Sequence, residues 1–292
     1  AMACGKIHRR LRLVPCLLLA AMVGGVVYGA AMRPAAPVLP RPHRIVSLNL
    51  CADQLLVALA DREQIAGLTR YASDPEMSAV AAQARRLPVF GGSAEEILAA
   101  RPDLVVGMPA RRNPAIAVLK GQHYPALDLQ SANRYEDILV SIRAVARAVG
   151  HPERGEAMIA RMNADLAGLP KVPGGKVAAY YQRRGYLTGT GTLVDDLMTR
   201  VGLVNLAGKL GKPPLSQMSL EEMALARPDF ILMDSAARPV EDQGTEMIHH
   251  PILRTIARIT IPQAWTVCGG PAYVKAARAM AEQAGGRPLT AR

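Results

Sequence analysis

The sequence predicts an α/β protein with two lobes, each a mainly parallel sheet flanked by helices, joined by one long helical connector. Three observations predict this fold. Strand-like and helix-like segments alternate along most of the chain, one block of sequence occurs twice, and a helical stretch separates the two copies. Such alternation is typical of parallel sheets with crossover helices. We therefore expect an N-terminal lobe at 44–132, a connector at 133–170 and a C-terminal lobe at 171–292.

The start of the chain, residues 1–31, has the layout of a secretory signal peptide. A basic stretch from Lys6 to Arg12 contains no acid, an apolar stretch from Leu13 to Val27 follows, and small residues occupy 29–31. A proline-rich leader at 32–43 precedes the first strand. An uncleaved membrane anchor is the alternative, because the apolar stretch is close to the minimum length of a membrane span. We expect export to the periplasm.

Short apolar runs predict the strands, and recurrence of apolar residues every three or four positions predicts the helices. In the connector, Ile138, Ile142, Val145 and Val149 recur at this spacing, so one helical face packs against protein, and 150–152 interrupts the helix. A helical connector lacks the flexible loops that absorb large dihedral changes, so we expect limited hinge motion. The predicted strands are 44–50, 65–69, 104–107, 126–129, 176–182, 230–233 and 264–267, and the predicted helices outside the connector include 53–59, 193–201 and 273–283.

The repeated block begins with a serine that is followed by two glutamates. It runs from Ser93 through Ala-Arg-Pro-Asp into an apolar run, and it returns at Ser219, 126 positions later. Serine is a natural helix N-cap, and the glutamate three residues on (Glu96 or Glu222) can complete a capping box. The proline then ends a short helix and the apolar run predicts a buried strand. Two blocks with the same order of parts indicate two related lobes.

Composition limits the classes of partner. Half of the 292 residues are apolar, and 35 Lys and Arg against 24 Asp and Glu give a net charge of +11. Removal of residues 1–31, which hold four Lys or Arg and no acid, leaves 31 − 24 = +7. A basic exported protein points to an anionic ligand or surface. Aromatic residues make up only 4% of the chain and no Lys/Arg block occurs, which argues against a nucleic-acid partner.

Cysteine usage agrees with export. Cys4 and Cys16 lie in the segment to be removed, so the mature chain keeps Cys51 and Cys268. Two thiols in an oxidising compartment can pair, and each of these follows a predicted strand at the same end of its sheet, which favours proximity. The alternative is two separate buried thiols.

These features together resemble the substrate-binding proteins of cobalamin and ferric-siderophore ABC importers. The resemblance runs from about Arg44 to about Gln283 and is carried by Arg-Ile-Val-Ser-Leu-Asn-Leu at 44–50, the two blocks, the segment 67–74 and Thr-Gly-Thr-Gly at 188–191. It implies a monomeric periplasmic receptor that holds a ligand between its lobes, delivers it to an ABC permease in the inner membrane and catalyses no reaction.

The same resemblance implies that Glu95 and Glu221 dock into arginine pockets of the permease. Their neighbours Glu96 and Glu222 are occupied in capping, which leaves Glu95 and Glu221 free to point outward. The alternative is that these carboxylates only favour their helix N-termini, by about 0.3–1 kcal/mol each.

Ligand-binding residues are expected where the carboxyl ends of the strands of both lobes meet. Arginine and tyrosine recur at these ends. Guanidinium groups bind carboxylate or catecholate oxygens in a forked geometry, and tyrosine adds a flat face and a hydroxyl group. For any single arginine the alternative is a solvated surface charge. The candidates are Arg70, Tyr71, Arg111, Tyr181, Arg183, Arg184, Tyr186, Arg238 and Trp265.

Charge complementarity favours a ferric siderophore over cobalamin, because the chain is rich in arginine and poor in aromatic residues. Haem is a third possibility, with Tyr71 or Tyr181 as axial ligand. We expect no cofactor and no protein-bound metal, because the histidines are scattered and the adjacent pair His249-His250 diverges on a helix. A secreted α/β hydrolase is the enzyme alternative, but the sequence shows no Gly-x-Ser-x-Gly elbow.

Overall fold

Two parallel β-sheets, one in each half of the chain, organise the computed structural model of this protein. The structure describes residues 41–109, 125–239 and 242–286. The predicted signal peptide at 1–31, most of the leader at 32–43 and the candidate ligand residue Arg111 lie outside these residues. The predicted α/β fold, with two lobes built on mainly parallel sheets flanked by helices, is confirmed.

The first sheet, with its helices, is called the N-terminal lobe. Within the described residues its strands are β1 Ile45–Ser47, β2 Ile65–Thr69, β3 Val89–Phe90, β4 Leu104–Gly107 and β5 Ala126–Asp128, and its helices are α1 Leu50–Leu59, α2 Ala81–Ala84 and α3 Ala94–Ala100. The strands pair in parallel in the order β3-β2-β1-β4-β5. All three residues of the central strand β1 are buried, which explains why the strand begins with the apolar pair Ile45-Val46.

The connector consists of two helices that pack against each other. These are α4 Tyr135–Ala148 and α5 Pro152–Ala167, separated at the predicted interruption, where Gly150 adopts a left-handed φ of 83°. The chain reverses direction there. Tyr135 at the start of α4 donates a 2.8 Å hydrogen bond to Asn163 near the end of α5, which shows that the two helices run side by side. Gly155 permits close packing, since a Cβ atom at this position would lie 2.6 Å from the Cβ atom of Ala146. The sequence predicts one long helical connector with an interruption at 150–152, and the structure shows two helices that pack together as a hairpin.

Helix α5 contacts both lobes. Near its start, Arg154 donates to the carbonyl oxygen of Leu59 at 2.7 Å and to the Asp61 carboxylate at 2.8 Å. Near its end, Asp165 forms a salt bridge of 3.3 Å with Arg278 in the other half of the chain. Hydrogen bonds and a salt bridge therefore join this helix to both halves of the chain.

The second sheet, with its helices, is called the C-terminal lobe. Its strands β6 Val177–Tyr180, β8 Val204–Asn205, β10 Phe230–Asp234 and β11 Ala257–Ile261 pair in parallel in the order β11-β10-β6-β8, and β7 Tyr186–Thr188 forms an antiparallel pair with β9 Leu215–Gln217. The helices found in the part described are α6 Leu193–Val201, α7 Leu206–Lys209, α8 Leu220–Ala226, α9 Gln243–His249 and α10 Tyr273–Ala284.

The strand predicted at 264–267 is wrong. The strand lies earlier, at β11, where Ile259 and Ile261 are buried but Arg258 and Thr260 interrupt the apolar pattern. Pro262 follows immediately and lacks the N–H group that would continue the ladder, so the strand ends there. Residues Gln263–Trp265 instead form a short 3-10 turn.

Both repeated blocks form the predicted capped helices. In α3 and α8, the Ser93 and Ser219 hydroxyl groups accept from the backbone of Glu96 and Glu222, whose carboxylates accept from the serine backbone in return. Each helix ends at a left-handed arginine, Arg101 in the first block and the equivalent residue in the second. The duplication visible in the sequence therefore corresponds to a duplicated local structure.

A disulfide bond links the lobes. Cys51 lies in the first turn of α1 and Cys268 lies in the loop before α10, with a Cα–Cα distance of 5.2 Å. None of the helices at 41–109, 125–239 and 242–286 combines the length and the apolarity that crossing a bilayer requires.

Candidate functional site

A cavity of about 570 Å³ opens at the carboxyl ends of strands β6, β10 and β11. This is where parallel α/β sheets place their ligands, and the volume falls within the range of small-molecule sites. Glu76 from the N-terminal lobe contributes to the wall, so the cavity contacts both lobes. Its lining in the described residues is Glu76, Tyr180, Tyr181, Gln182, Arg183, Tyr186, Leu215, Asp234, Ala236, Ala237, Thr245, Ile248 and Gln263.

Three of the predicted ligand residues line this cavity, and they differ in accessibility. Tyr186 is 40% exposed at the start of β7, and Arg183 is also exposed, so both can reach a ligand. Tyr181 is fully buried and its hydroxyl group donates to the carbonyl oxygen of Met218 at 2.8 Å. Tyr181 therefore supports the wall and does not present its hydroxyl group to a ligand.

The five other candidates in the described residues lie outside the lining of the cavity. Arg70 donates to the Tyr71 hydroxyl group at 2.9 Å, and its guanidinium carbon lies 4.9 Å from the centre of that ring. Tyr71 is 44% exposed, Arg184 and Arg238 are exposed on the surface, and Trp265 is half-buried against the main core. Arg70 and Tyr71 form a pair of their own directly after β2.

The charge of the described cavity wall is negative on balance. Arg183, the basic side chain among the described lining residues, forms a salt bridge with Asp242. The same wall contains the acids Glu76 and Asp234. One Asp234 oxygen accepts from the backbone of Ala236 and from the backbone of Gln263, both at 3.1 Å, which fixes the turn after β11 beside the turn after β10.

The tyrosines at the end of β6 are hydrogen-bond donors. Burial, followed by the charge of Asp234, raises the pKa of Tyr180 to about 12. Burial, followed by the charges of Glu221 and Glu222, likewise raises the pKa of Tyr181 to about 12. Both phenols therefore stay protonated near neutral pH. Tyr181, a predicted haem ligand, has its hydroxyl group engaged with the carbonyl oxygen of Met218.

Sequence reasoning missed the neutral and acidic side chains of the wall. Gln182 is the last residue of one predicted strand and Asp234 directly follows another, so their positions were available, but selection for positive charge passed over them. Gln263 was missed because the last strand is predicted at 264–267, seven residues after the start of β11. Leu215, which is 61% exposed, lies on β9, a strand that the sequence did not reveal.

The two predicted docking carboxylates are exposed at the second position of their helices. A hydrogen bond from its own backbone N–H, and a second from Ser93, lower the pKa of Glu95. The equivalent bonds, with Ser219 as the second partner, lower the pKa of Glu221. Both side chains are thus anionic and accessible, while Glu222 pairs with Lys212 at 2.9 Å.

Asp53 lies fully buried beneath the strand that leads to Arg70. It accepts from the Thr69 backbone at 3.0 Å and from the Thr69 hydroxyl group at 2.5 Å. Burial raises the pKa of Asp53 from 3.8 to about 6, although hydrogen bonds from Ser47 and Thr69 oppose the shift. The folded-state pKa exceeds the unfolded value, so the contribution of this carboxyl group to stability is complete below about pH 4 and is lost as the pH rises through 6.

Replacement Asp53→Asn should therefore stabilise the protein relative to wild type in a pH-dependent way. The difference in unfolding free energy should grow by about 2 kcal/mol between pH 4 and pH 7, since one pKa unit corresponds to about 1.4 kcal/mol and the unfolded carboxyl group is already more than half ionised at pH 4. Urea unfolding at both pH values measures this change, with exposed Glu63→Gln as the control. A difference between Asp53→Asn and wild type that does not vary with pH would contradict the shifted pKa.

Comparison with known proteins identifies the family. The family model described as "Periplasmic binding protein" matches residues 45–256, which is most of the chain. This chain belongs to the periplasmic binding protein family. The match covers the repeated blocks, the connector and two of the three strands that bear the cavity, β6 and β10.

Relatives of this periplasmic binding protein carry two kinds of ligand name. A "Vitamin B12-binding protein" of Pectobacterium atrosepticum is 24% identical over 260 residues, covering 83% of this chain and 88% of the relative. A "Cobalamin-binding protein" of Halobacterium salinarum is 21% identical over 218 residues, covering 71% of this chain, and this chain spans only 58% of its length. The solved structure of a "Periplasmic heme-binding protein" of Roseiflexus sp. RS-1 has a TM-score of 0.65 and 25% identity, covering 83% of this chain and 99% of that protein.

Proposed function

We propose that this periplasmic binding protein is the receptor of an ABC importer and captures a metal chelate of the corrinoid class, as cobalamin is. The chelate occupies the cavity between the lobes. Two exposed carboxylates, Glu95 and Glu221, then place the loaded receptor on a permease in the inner membrane. The receptor acts in the periplasm as a monomer and catalyses no reaction.

The chemistry of the cavity wall carries the choice of ligand. Gln182 and Gln263 offer amide groups, Tyr180 and Tyr186 offer aromatic faces with hydroxyl groups, and Leu215 offers an exposed apolar surface. Cobalamin carries amide side chains around a large apolar ring and has little net charge. Amide–amide hydrogen bonds and ring packing suit such a ligand, and the names of the two curated relatives support the same choice.

A ferric siderophore, which the sequence favours, receives less support from this wall. Ferric catecholate chelates are strongly anionic and need unpaired cations nearby. Arg183 is neutralised by Asp242, and Glu76 and Asp234 would repel such a ligand.

Haem is the second candidate, because Tyr71 satisfies one requirement for axial ligation. Its hydroxyl group is accessible and receives a hydrogen bond from Arg70, and a phenol oxygen is one of the axial ligands that haem iron takes in proteins. The similarity to the Roseiflexus structure points the same way. The two candidates differ in the residue on which binding depends, which makes them separable.

Calorimetric titration with cyanocobalamin, haemin and a ferric catecholate siderophore tests the proposal. We expect saturable binding of cyanocobalamin, weakened about 10-fold by Gln263→Leu, since that variant keeps the side-chain volume but leaves a buried amide of the ligand unpaired. Arg238→Ala, outside the cavity, is the control and should leave Kd unchanged. If haemin binds and Tyr71→Phe abolishes that binding, the ligand is haem and not a corrinoid. If only the siderophore binds, the ligand is the ferric siderophore predicted from the sequence.

A further inference from the structure

The C-terminal lobe has an apolar groove beside one of the proposed docking carboxylates. The groove encloses about 810 Å³ and lies between helix α8 and the segment that starts with the 3-10 turn Pro251–Leu253. It is a separate site from the ligand cavity, with which it shares no lining residue. Its lining is Glu221, Ala224, Leu225, Arg227, Pro228, Asp229, Ile252, Thr255 and Ile256.

Leu225 is the most exposed large apolar residue in the described part of the chain. Its exposed fraction is 84%, and Ile252 across the groove is 49% exposed. Contiguous exposed apolar side chains framed by polar residues are typical of surfaces that bind another protein. Burial of such side chains in the groove by a partner would be favourable, because it removes apolar surface from water.

The groove and the docking carboxylate lie on one face of α8. Glu221 and Leu225 are four residues apart, a spacing that brings side chains together on a helix. Within 41–109, 125–239 and 242–286, Glu221 forms no salt bridge, whereas its neighbour Glu222 pairs with Lys212. A partner segment that supplies a cation to Glu221 therefore also passes over Leu225.

The matched helix of the N-terminal lobe lacks this apolar side chain. The two blocks align residue by residue, so Glu95 corresponds to Glu221, while Ala99 stands where the C-terminal lobe has Leu225. The carboxylates of the two lobes are equivalent, but their surroundings are not.

We propose that this groove receives an extended segment of the permease, in which a basic side chain pairs with Glu221 and an aliphatic or aromatic neighbour packs between Leu225 and Ile252. This inference rests on the proposed function, since the occupant is the permease of the same importer. Charge complementarity at Glu221 selects a basic partner, and the apolar walls select the residue beside it. The consequence is an asymmetric docking surface, with the C-terminal lobe contributing more affinity than its duplicate.

Binding of the full-length receptor to the importer's permease in lipid nanodiscs tests the groove. We expect Leu225→Ala, which copies Ala99 of the other lobe, to raise the receptor–permease Kd about 10-fold and Ile252→Ala to raise it several-fold. Leu210→Ala, which removes a leucine that is 46% exposed elsewhere, is the matched control and should leave that Kd unchanged. The Kd for cyanocobalamin and the melting temperature should stay at wild-type values in every variant.

The outcomes separate the groove from the docking proposal on which it rests. Wild-type permease affinity in Leu225→Ala, together with lost affinity in Glu95→Ala/Glu221→Ala, would overturn the groove and keep the docking role. Wild-type affinity in both would overturn the docking proposal itself. Sedimentation of wild type as a dimer and of Leu225→Ala as a monomer would also overturn the inference, by assigning the groove to a second copy of this chain.

Discussion

The double variant Glu95→Ala/Glu221→Ala should abolish ligand uptake in cells while it leaves the dissociation constant for the ligand nearly unchanged. Both carboxylates are exposed and anionic at the starts of equivalent helices, and neither lines the cavity. Their removal deletes charge at the docking surface without altering the ligand site. Uptake of radiolabelled cobalamin by cells and calorimetry on the purified variant measure the two quantities separately.

The stability of the variant and a control variant distinguish lost docking from a folding defect. The capping glutamates remain in place, so the variant loses only the favourable charge at each helix N-terminus and should keep its fold. Glu63→Ala/Glu282→Ala removes two carboxylates outside these helices and should take up ligand normally. A large loss of ligand affinity in Glu95→Ala/Glu221→Ala would place those carboxylates in the pocket and contradict the docking role.

Loss of the disulfide bond should produce the largest change in stability. Cys51 and Cys268 are 217 residues apart, so the bond restricts nearly the whole unfolded chain. Removal of native disulfides costs about 2–5 kcal/mol, which corresponds to a fall in melting temperature of about 10 °C for a chain of this size. Thermal unfolding of Cys51→Ser/Cys268→Ser beside wild type measures the effect.

Reducing agent provides the matched control for this variant. Dithiothreitol should lower the melting temperature of wild type to that of Cys51→Ser/Cys268→Ser and should not change the variant. Two free thiols in the exported, non-reduced protein, titrated under denaturing conditions, would show that the bond does not form.

Most of the fold was predictable because its strands are buried on both faces. The central strands read as short apolar runs, and the predicted bounds at Ile65–Thr69 and Leu104–Gly107 match the structure. The strand Ala257–Ile261 was not predicted, because Arg258 and Thr260 alternate with its apolar residues and leave no continuous apolar run. The largely apolar segment 264–267, after Pro262, was predicted as the strand in its place. The connector was predicted as helical, but its reversal depends on close packing of Gly155, which a one-dimensional pattern does not reveal.

The candidate site was less predictable than the fold, because charge at a strand end does not determine which partner neutralises it. Arg183 was selected as a free cation, yet Asp242, 59 residues away, pairs with it in the folded chain. Tyr181 was selected for its position after β6, yet its hydroxyl group turns inward to Met218. The proposed wall residues Gln182 and Gln263 carry no charge, so composition gave no reason to single them out. The side chains of Arg70 and Tyr71 do contact each other, with the guanidinium carbon 4.9 Å from the centre of the ring.

The position of the disulfide also sets an order of events during secretion. A secreted polypeptide enters the oxidising compartment from its N-terminus, so Cys51 arrives long before Cys268, which lies in the last tenth of the chain. Until then the Cys51 thiol has no native partner and is open to oxidation by small disulfides or to bonding with other nascent chains. Maturation of this protein therefore includes a covalent step that cannot take place before Cys268 has entered the oxidising compartment.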